Sequence, residues 1–296
     1  MSGGRCFAIV MNPTSAGGKP LRLLPRVRSV LGAAGAEVAV VETQDIPHAA
    51  EAALAASERG ETVVALGGDG LVGALASVLK GSAPLGVLPG GRGNDFARAL
   101  GISQGIGEAC RALLEGSERI LDLGEANGRA FACIASTGFD SDANRIANDA
   151  RLVRGNLVYL YAGIRALLAW KPTRFQVTLD DHELEFEGYT VGACNTAYYG
   201  GGMKAAPEAD PADGKLDVLF CKKTSKTRFL TRVLPKVFSG THVELPEIEM
   251  HRARQVTIQA DRPFDVYADG DPITTLPATV RVIPGALRVI APPAPG

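Results

Sequence analysis

The chain is predicted to form two domains, an α/β domain with a parallel sheet over residues 1–125 and a mostly antiparallel β domain over residues 126–290. Three observations lead there. The length, 296 residues, is about twice that of a typical single domain. Up to residue 125, short β-branched runs alternate with Ala/Leu-rich stretches, the rhythm of βαβ units. Beyond it, strand-like runs follow one another with turn chemistry between them and few helices.

In the first domain the candidate strands are Phe7–Met11, Val38–Val41, Thr62–Leu66 and Leu85–Leu88, separated by helical stretches at Pro20–Ala34, Pro47–Glu58 and Leu71–Leu79. Parallel sheets place ligands beyond the carboxyl ends of their strands. Those ends carry the unusual residues here: Asn12-Pro13-Thr14-Ser15-Ala16-Gly17-Gly18-Lys19, Thr43, Gly67-Gly68-Asp69-Gly70, and Pro89-Gly90-Gly91-Arg92-Gly93-Asn94-Asp95. Four loops are thus expected on one edge. In the second domain the candidate strands are Phe131–Thr137, Thr173–Leu179, Glu183–Ala193, Leu216–Cys221, Gln255–Ala260, Phe264–Ala268 and Thr279–Ile283. Asp180-Asp181 and Asp269-Gly270-Asp271-Pro272 supply turns, helical insertions are expected near 140–168 and 226–238, and the Pro-rich tail 291–296 is expected to fray. The C-terminal segment could pack back on the first domain.

Composition excludes several classes. With 46% hydrophobic and 21% charged residues the chain buries a core and is not a disordered tail. Lys+Arg 31 against Asp+Glu 32 leaves a net charge of -1, so no overall basic field recruits nucleic acid. No basic-then-apolar leader is read before Cys6, and the longest apolar stretch, Leu157–Trp170, is too short for a bilayer and contains Arg165. The expectation is a soluble, cytoplasmic protein. Cys6, Cys110, Cys133, Cys194 and Cys221 are odd in number and scattered, which reads as thiols in a reducing compartment. Four histidines without HExxH spacing argue against a histidine-based metalloenzyme.

Glycine turns after parallel strands let backbone N–H groups close on a phosphate, aided by the positive end of the next helix. Gly67-Gly68-Asp69-Gly70 has that context. Gly68-Asp69-Gly70-Leu71-Val72-Gly73 also matches GxGxxG, a weak signal alone, and two features oppose a dinucleotide site. An acid stands inside the turn, and the strand ending at Leu88 runs into Pro89 with no acid to bind a ribose. Gly17-Gly18-Lys19-Pro20 lacks the spacing and hydroxyl of a Walker A loop. The plain alternative is that these glycines only make tight turns.

Asn12-Pro13 with Ser15 and Gly17, Gly67-Gly68-Asp69-Gly70, and Pro89 through Arg98 resemble the catalytic domain of the diacylglycerol kinase family. The resemblance continues through Tyr199-Gly200-Gly201-Gly202-Met203, Ala206-Pro207, Asp213 to Val218, and Asp269-Gly270-Asp271, in order across almost the whole chain. It implies an NAD-kinase-like first domain, a β-sandwich second domain and ATP in a cleft between them. Asn12, Ser15 and Thr43 would lie near the nucleotide; Gly67, Gly68, Asp69, Gly70, Leu71 and Gly73 would cradle its phosphates, with Arg92, Gly93 and Asn94 approaching them. The family usually has Thr at 71 and 92. Leu71 lacks that hydroxyl, whereas Arg92 offers a full charge and a bidentate phosphate contact.

Phosphoryl transfer from ATP needs Mg²⁺ on the phosphates and a group to take the acceptor proton. The family's proposed base is a Glu in an Asp-Gly-Glu turn, and Asp271 stands at that place, one methylene shorter. Asp69 would hold Mg²⁺ or its waters. Asp210, Asp213 and the carbonyl of Lys215 would form the family's structural Mg²⁺ site, with a surface turn as the alternative. Lys222, Lys223, Lys226, Arg228, Arg232 and Lys236, interleaved with Phe229, Leu230, Val233, Leu234, Val237 and Phe238, could lie on an anionic membrane or pack on the β domain, with Pro235 kinking the segment. A second candidate, 151–171, reads as core. The function implied is phosphorylation of a lipid hydroxyl by ATP, diacylglycerol to phosphatidic acid, at the inner membrane face. A soluble-substrate kinase of the NAD kinase type and a nucleotide-binding protein with decayed chemistry stay as rivals, and a homodimer stays open.

Overall fold

The structure, a computed structural model, describes residues 5–149 and 165–293. It has two compact units, Met1–Leu123 with Gly285–Gly296, and Gly124–Pro284.

The first unit is built on parallel strands β1 (Cys6–Met11), β2 (Glu37–Glu42), β3 (Thr62–Gly67) and β4 (Leu85–Pro89). Their order is β4-β3-β1-β2, every neighbour parallel. The central strands β1, β3 and β4 are buried along almost their whole length, as their unbroken Val/Ile/Leu/Ala runs require. Helix α1 (Ser15–Ala33) buries Pro20, Leu24, Val27 and Leu31, one stripe at helical spacing. Helix α2 (Ile46–Glu58) starts at Asp45, whose side chain accepts the His48 N–H at 2.9 Å. Helix α3 (Asp69–Leu79) follows β3 directly. Two short helices, α4 (Asp95–Ala99) and α5 (Ile106–Glu115), follow β4; neither is read from the sequence, because α4 spans only 5 residues and α5 lies in a Gly-flanked stretch.

The second unit is antiparallel, as expected. Strands β5 (Ser117–Ala126) and β6 (Arg129–Phe131) pair through Gly124–Ala126, and β5 begins in the first unit. The remaining strands are β7 (Ile134–Gly138), β8 (Thr173–Leu179), β9 (His182–Cys194), the small hairpin β10 (Tyr198–Tyr199) and β11 (Met203–Lys204), β12 (Leu216–Lys222), β13 (Ile248–Ala253), β14 (Gln255–Ala260), β15 (Asp265–Ala268), β16 (Asp271–Thr275) and β17 (Ala278–Ala291). Strand β9 organises them. Its first half pairs with β8, and from Thr190 to Cys194 it pairs with β7 on one side and β12 on the other. The exchange turns on Gly188, where a Cβ would stand 2.4 Å from the Cys221 carbonyl oxygen. Strand β13, where Glu249, His251 and Arg252 are spread over both faces, carries too little apolar alternation to be read as a strand beforehand. Strand β17 is far longer than the Thr279–Ile283 run suggests; its last part, Gly285 onward, belongs to the first unit, where Val289 pairs parallel with Leu85 of β4.

Helix α6 (Phe139–Asp149) follows β7. Residues 150–164, most of the rest of the insertion expected near 140–168 and of the 151–171 segment, lie outside the described residues. The basic stretch is helical from Lys226 to Val237, with a π-helical segment at Phe229–Val233. The widened turn stands just before Pro235, which has no N–H to close an ordinary α turn. Its apolar side faces inward: Phe229, Val233 and Val237 are buried, and Phe229 stacks on Tyr189 at 4.6 Å and meets Phe139 at 5.0 Å. Most of its cations have protein partners. Lys223 pairs with Glu187 at 2.8 Å, Arg228 with Glu247 at 2.8 Å, and Lys222 with Glu249. Packing on the β unit is therefore the main role of this face, because its aromatic residues complete the core. Phe229→Ala should destabilise the protein by about 3–5 kcal/mol in urea denaturation, through the cavity it leaves in that cluster.

Candidate active site

The loops after the four parallel strands of the first unit form one connected rim. Gly90 N–H donates to the Gly67 carbonyl at 2.8 Å. A Cβ on Gly91 would stand 2.3 Å from the Gly68 Cα, and one on Gly90 would stand 3.1 Å from the Gly67 N. Backbone thus rests on backbone, an approach open only to glycine. Asn94, with φ 54°, accepts the Gly91 N–H on Oδ1 at 2.8 Å and donates from Nδ2 to Gln104 Oε1 at 3.0 Å. The Asn94 side chain is therefore committed to shaping the loop. Asp69 Oδ1 accepts the Phe96 N–H at 3.0 Å, fastening the β3 loop to the start of α4.

The β1 and β2 loops are tied in turn. Asn12 Nδ2 donates to the Gln44 carbonyl at 3.2 Å, while its Oδ1 accepts the N–H and hydroxyl of Thr14 at 2.9 and 2.8 Å. Ser15 Oγ donates to the Asn12 carbonyl at 3.0 Å, and buried Thr43 donates from Oγ1 to the Met11 carbonyl at 3.2 Å. Ala16, Gly17 and Gly18 are left-handed, with φ 47°, 67° and 79°, so the chain coils before α1 becomes regular. Lys19 Nζ then reaches the Gly91 carbonyl at 2.9 Å and joins the β1 loop to the β4 loop.

The other expected residues take distinct places. Gly70 is in the first turn of α3, whose N-terminus has no side-chain cap. Gly73 is buried within that helix and serves its packing. Leu71 folds back over Gly67, so close that a Cβ on Gly67 would meet Leu71 Cδ2 at 2.7 Å. Arg92 is exposed, and the Gly93 carbonyl accepts from Arg98 Nε at 3.3 Å. Glycine turns, an uncapped helix start and a lysine together form a surface suited to an anionic phosphate chain. Lys19 and Gln104 are not singled out by the sequence, because each acts through a partner distant along the chain.

In the second unit the turn between β15 and β16 is held by Asp269. Its carboxylate accepts the N–H groups of Ala132, Cys133 and Ile134 at 2.7, 2.9 and 3.3 Å. Burial pushes its pKa up to about 6, opposed by those three bonds and reinforced by the Asp271 charge. Asp271 is exposed beside it, and partial desolvation moves its carboxyl above the ordinary range.

The 210–215 turn is closed by its own side chains and by Arg252. Asp210 Oδ1 accepts the Ala212 N–H at 3.0 Å, Asp213 Oδ1 accepts the Lys215 N–H at 2.9 Å, and the other Asp213 oxygen meets the Arg252 guanidinium. Arg252 Nε also lies 3.9 Å from buried Asp217, whose pKa is pushed up to about 6 by burial and by Glu208 and Asp210. Among the described residues no group of three or more His, Cys, Asp or Glu is placed to hold a metal ion. Of the two acids of this turn, Asp213 is engaged by the Arg252 guanidinium, while Asp210 caps the turn itself.

Comparison with known proteins agrees with this architecture. Residues 7–126 match the diacylglycerol kinase catalytic domain, and residues 133–291 match the YegS C-terminal NAD kinase beta sandwich-like domain. A diacylglycerol kinase of Mycobacterium tuberculosis strain H37Rv is 35% identical over 95% of this chain and 93% of its own. One from Bacillus subtilis is 30% identical, covering 89% and 88%. A crystal structure of a diacylglycerol kinase from Bacillus anthracis superposes with a TM-score of 0.77 over 99% of both chains at 23% identity. Among the described residues no helix is long and apolar enough to cross a membrane.

Two outcomes follow from this geometry. Gly91→Ala should cost about 1–3 kcal/mol in thermal or chemical denaturation, since a backbone atom is what its methyl meets. Burial pushes the Asp269 carboxyl up to about 6 in the fold, above the ordinary value near 3.8, so the fold favours its protonated form. Its contribution to stability is greatest below the lower value and declines as pH rises through the higher one. Denaturation between about pH 4 and pH 7 should show that decline in the wild type, and Asp269→Asn should flatten it.

Proposed function

Because the chain belongs to the lipid kinase family defined by the diacylglycerol kinase catalytic domain, we propose that it transfers the γ-phosphoryl group of ATP to a lipid hydroxyl, foremost that of diacylglycerol. The observation carrying this reading is the rim of the first unit, where four loops joined by Asn12–Gln44, Lys19–Gly91, Gly90–Gly67 and Asp69–Phe96 contacts offer backbone donors and a cation to a phosphate chain. Phosphoryl transfer asks a protein mainly for positioning and charge stabilisation, and rigid glycine turns provide positioning.

In the proposed reaction Asp271 takes the proton of the acceptor hydroxyl. The acceptor oxygen bonds to the γ-phosphorus, the bond from that phosphorus to the bridging oxygen breaks, and ADP leaves with the electron pair. Asp69 would hold Mg²⁺ or its waters beside the phosphates, where the ion would neutralise their charge. Asp269 keeps the Asp271 turn in place through the three hydrogen bonds it accepts from backbone N–H groups. The raised pKa of Asp271 brings a carboxylate closer to the range in which a base works near neutral pH. A lipid acceptor also implies contact with a membrane. On the 226–238 segment Leu230 and Phe238 are left exposed, as is Arg232, and these could meet an anionic surface.

The test supplies γ-labelled ATP and mixed micelles of diacylglycerol, ceramide or a sphingoid base, with NAD as a soluble acceptor. Label should appear on diacylglycerol. Transfer to NAD alone, or ATP binding with no transfer to any lipid, would overturn the proposal in favour of a soluble-substrate kinase or a binding protein. Asp271→Asn should lower kcat by roughly 10²- to 10⁴-fold with little change in ATP affinity. Wild-type turnover in that variant would remove Asp271 from the role of base.

A further inference from the structure

We propose that Lys19 binds the polyphosphate of the nucleotide and is the fixed positive charge of the rim; the inference rests on the ATP-binding part of the reading above. Lys19 stands where the left-handed Ala16-Gly17-Gly18 coil becomes regular helix. From there its side chain crosses to the β4 loop and donates to the Gly91 carbonyl at 2.9 Å. Gly91 is the glycine whose Cα region rests on Gly68, so the ammonium is held at the junction of the β1, β3 and β4 loops.

The partner is the telling feature. An ammonium has three donors, and a neutral carbonyl takes one of them. Among the described residues Lys19 has no carboxylate partner. By contrast, Lys222, Lys223 and Arg228 are each paired with a glutamate. A half-buried cation kept at a glycine-built anion cradle, with donors to spare, has the chemistry of a phosphate ligand. Arg92, the other cation of these loops, is exposed and has no such anchor. A merely structural strap would need only the bond to Gly91, which a neutral donor can also make. A phosphate ligand needs the charge.

Lys19→Gln separates the two, because glutamine keeps an N–H donor and loses the charge. Binding of ATP, ADP and adenosine to the intact protein is measured by calorimetry, with thermal unfolding as the check on folding. Lys19→Gln should weaken ATP by roughly 10- to 100-fold, ADP by less, and leave adenosine unchanged. Lys19→Arg should recover most of the loss. Equal ATP affinity in Lys19→Gln and wild type would overturn the proposal, as would an equal loss for ATP and adenosine. If Lys19→Gln does not fold, the wild type decides: acetylation of Lys19, read by mass spectrometry, should be suppressed by ATP and not by adenosine. Unchanged acetylation with saturating ATP would overturn the assignment. Failure of the wild type to bind ATP at all would instead sink the kinase reading itself.

Discussion

The candidate site depends on one contact, the backbone of Gly91 resting against that of Gly68. With a Cβ only 2.3 Å from a neighbouring Cα, neither loop could keep its path. This contact sets how far the β3 and β4 loops stand apart, and the Gly90–Gly67 hydrogen bond locks the spacing. Asn94 then holds Gly91 from the carboxyl side, and Lys19 holds it from the β1 loop. The rim is thus rigid by construction, which suits a surface that must meet a charged group without reorganising.

The same device recurs wherever the chain turns sharply. Asn94, Asn127, Asp180 and Asp269 all sit at positive φ, where short polar side chains are tolerated. Asn94 turns its oxygen onto the Gly91 amide of its own loop, and the other three turn theirs onto amides of another segment. Asn127 accepts from Thr279 at 2.9 Å, Asp180 from Gln255 at 2.9 Å, and Asp269 from three successive residues. Left-handed Asx residues therefore serve both as corners and as clips between strands distant in sequence.

The aromatic cluster of the second unit accounts for the basic helix. Phe139, Tyr189 and Phe229 meet within 6.0 Å of one another, and the π-helical turn before Pro235 brings Phe229 into them. The apolar stripe is spent on this core, and Leu230 and Phe238 are left exposed on the outside of the segment.

The positions of β1 to β4 along the chain, the helices between them and the antiparallel character of the second unit were legible in the sequence, because they rest on local periodicity and on glycines placed after strands; the sheet order β4-β3-β1-β2 was not. Asn12, Thr43, Gly67 and Gly68 were legible for the same reason: they stand where parallel sheets expose loops. What only the tertiary structure decided is who meets whom. Lys19 finds Gly91 across 72 positions, and Asp269 finds Ala132 across 137. Arg252 meets Asp213, and the last part of β17 enters the first unit's sheet. Such pairings carry no local signal, since a single side chain fits many partners until packing brings one of them within hydrogen-bond reach.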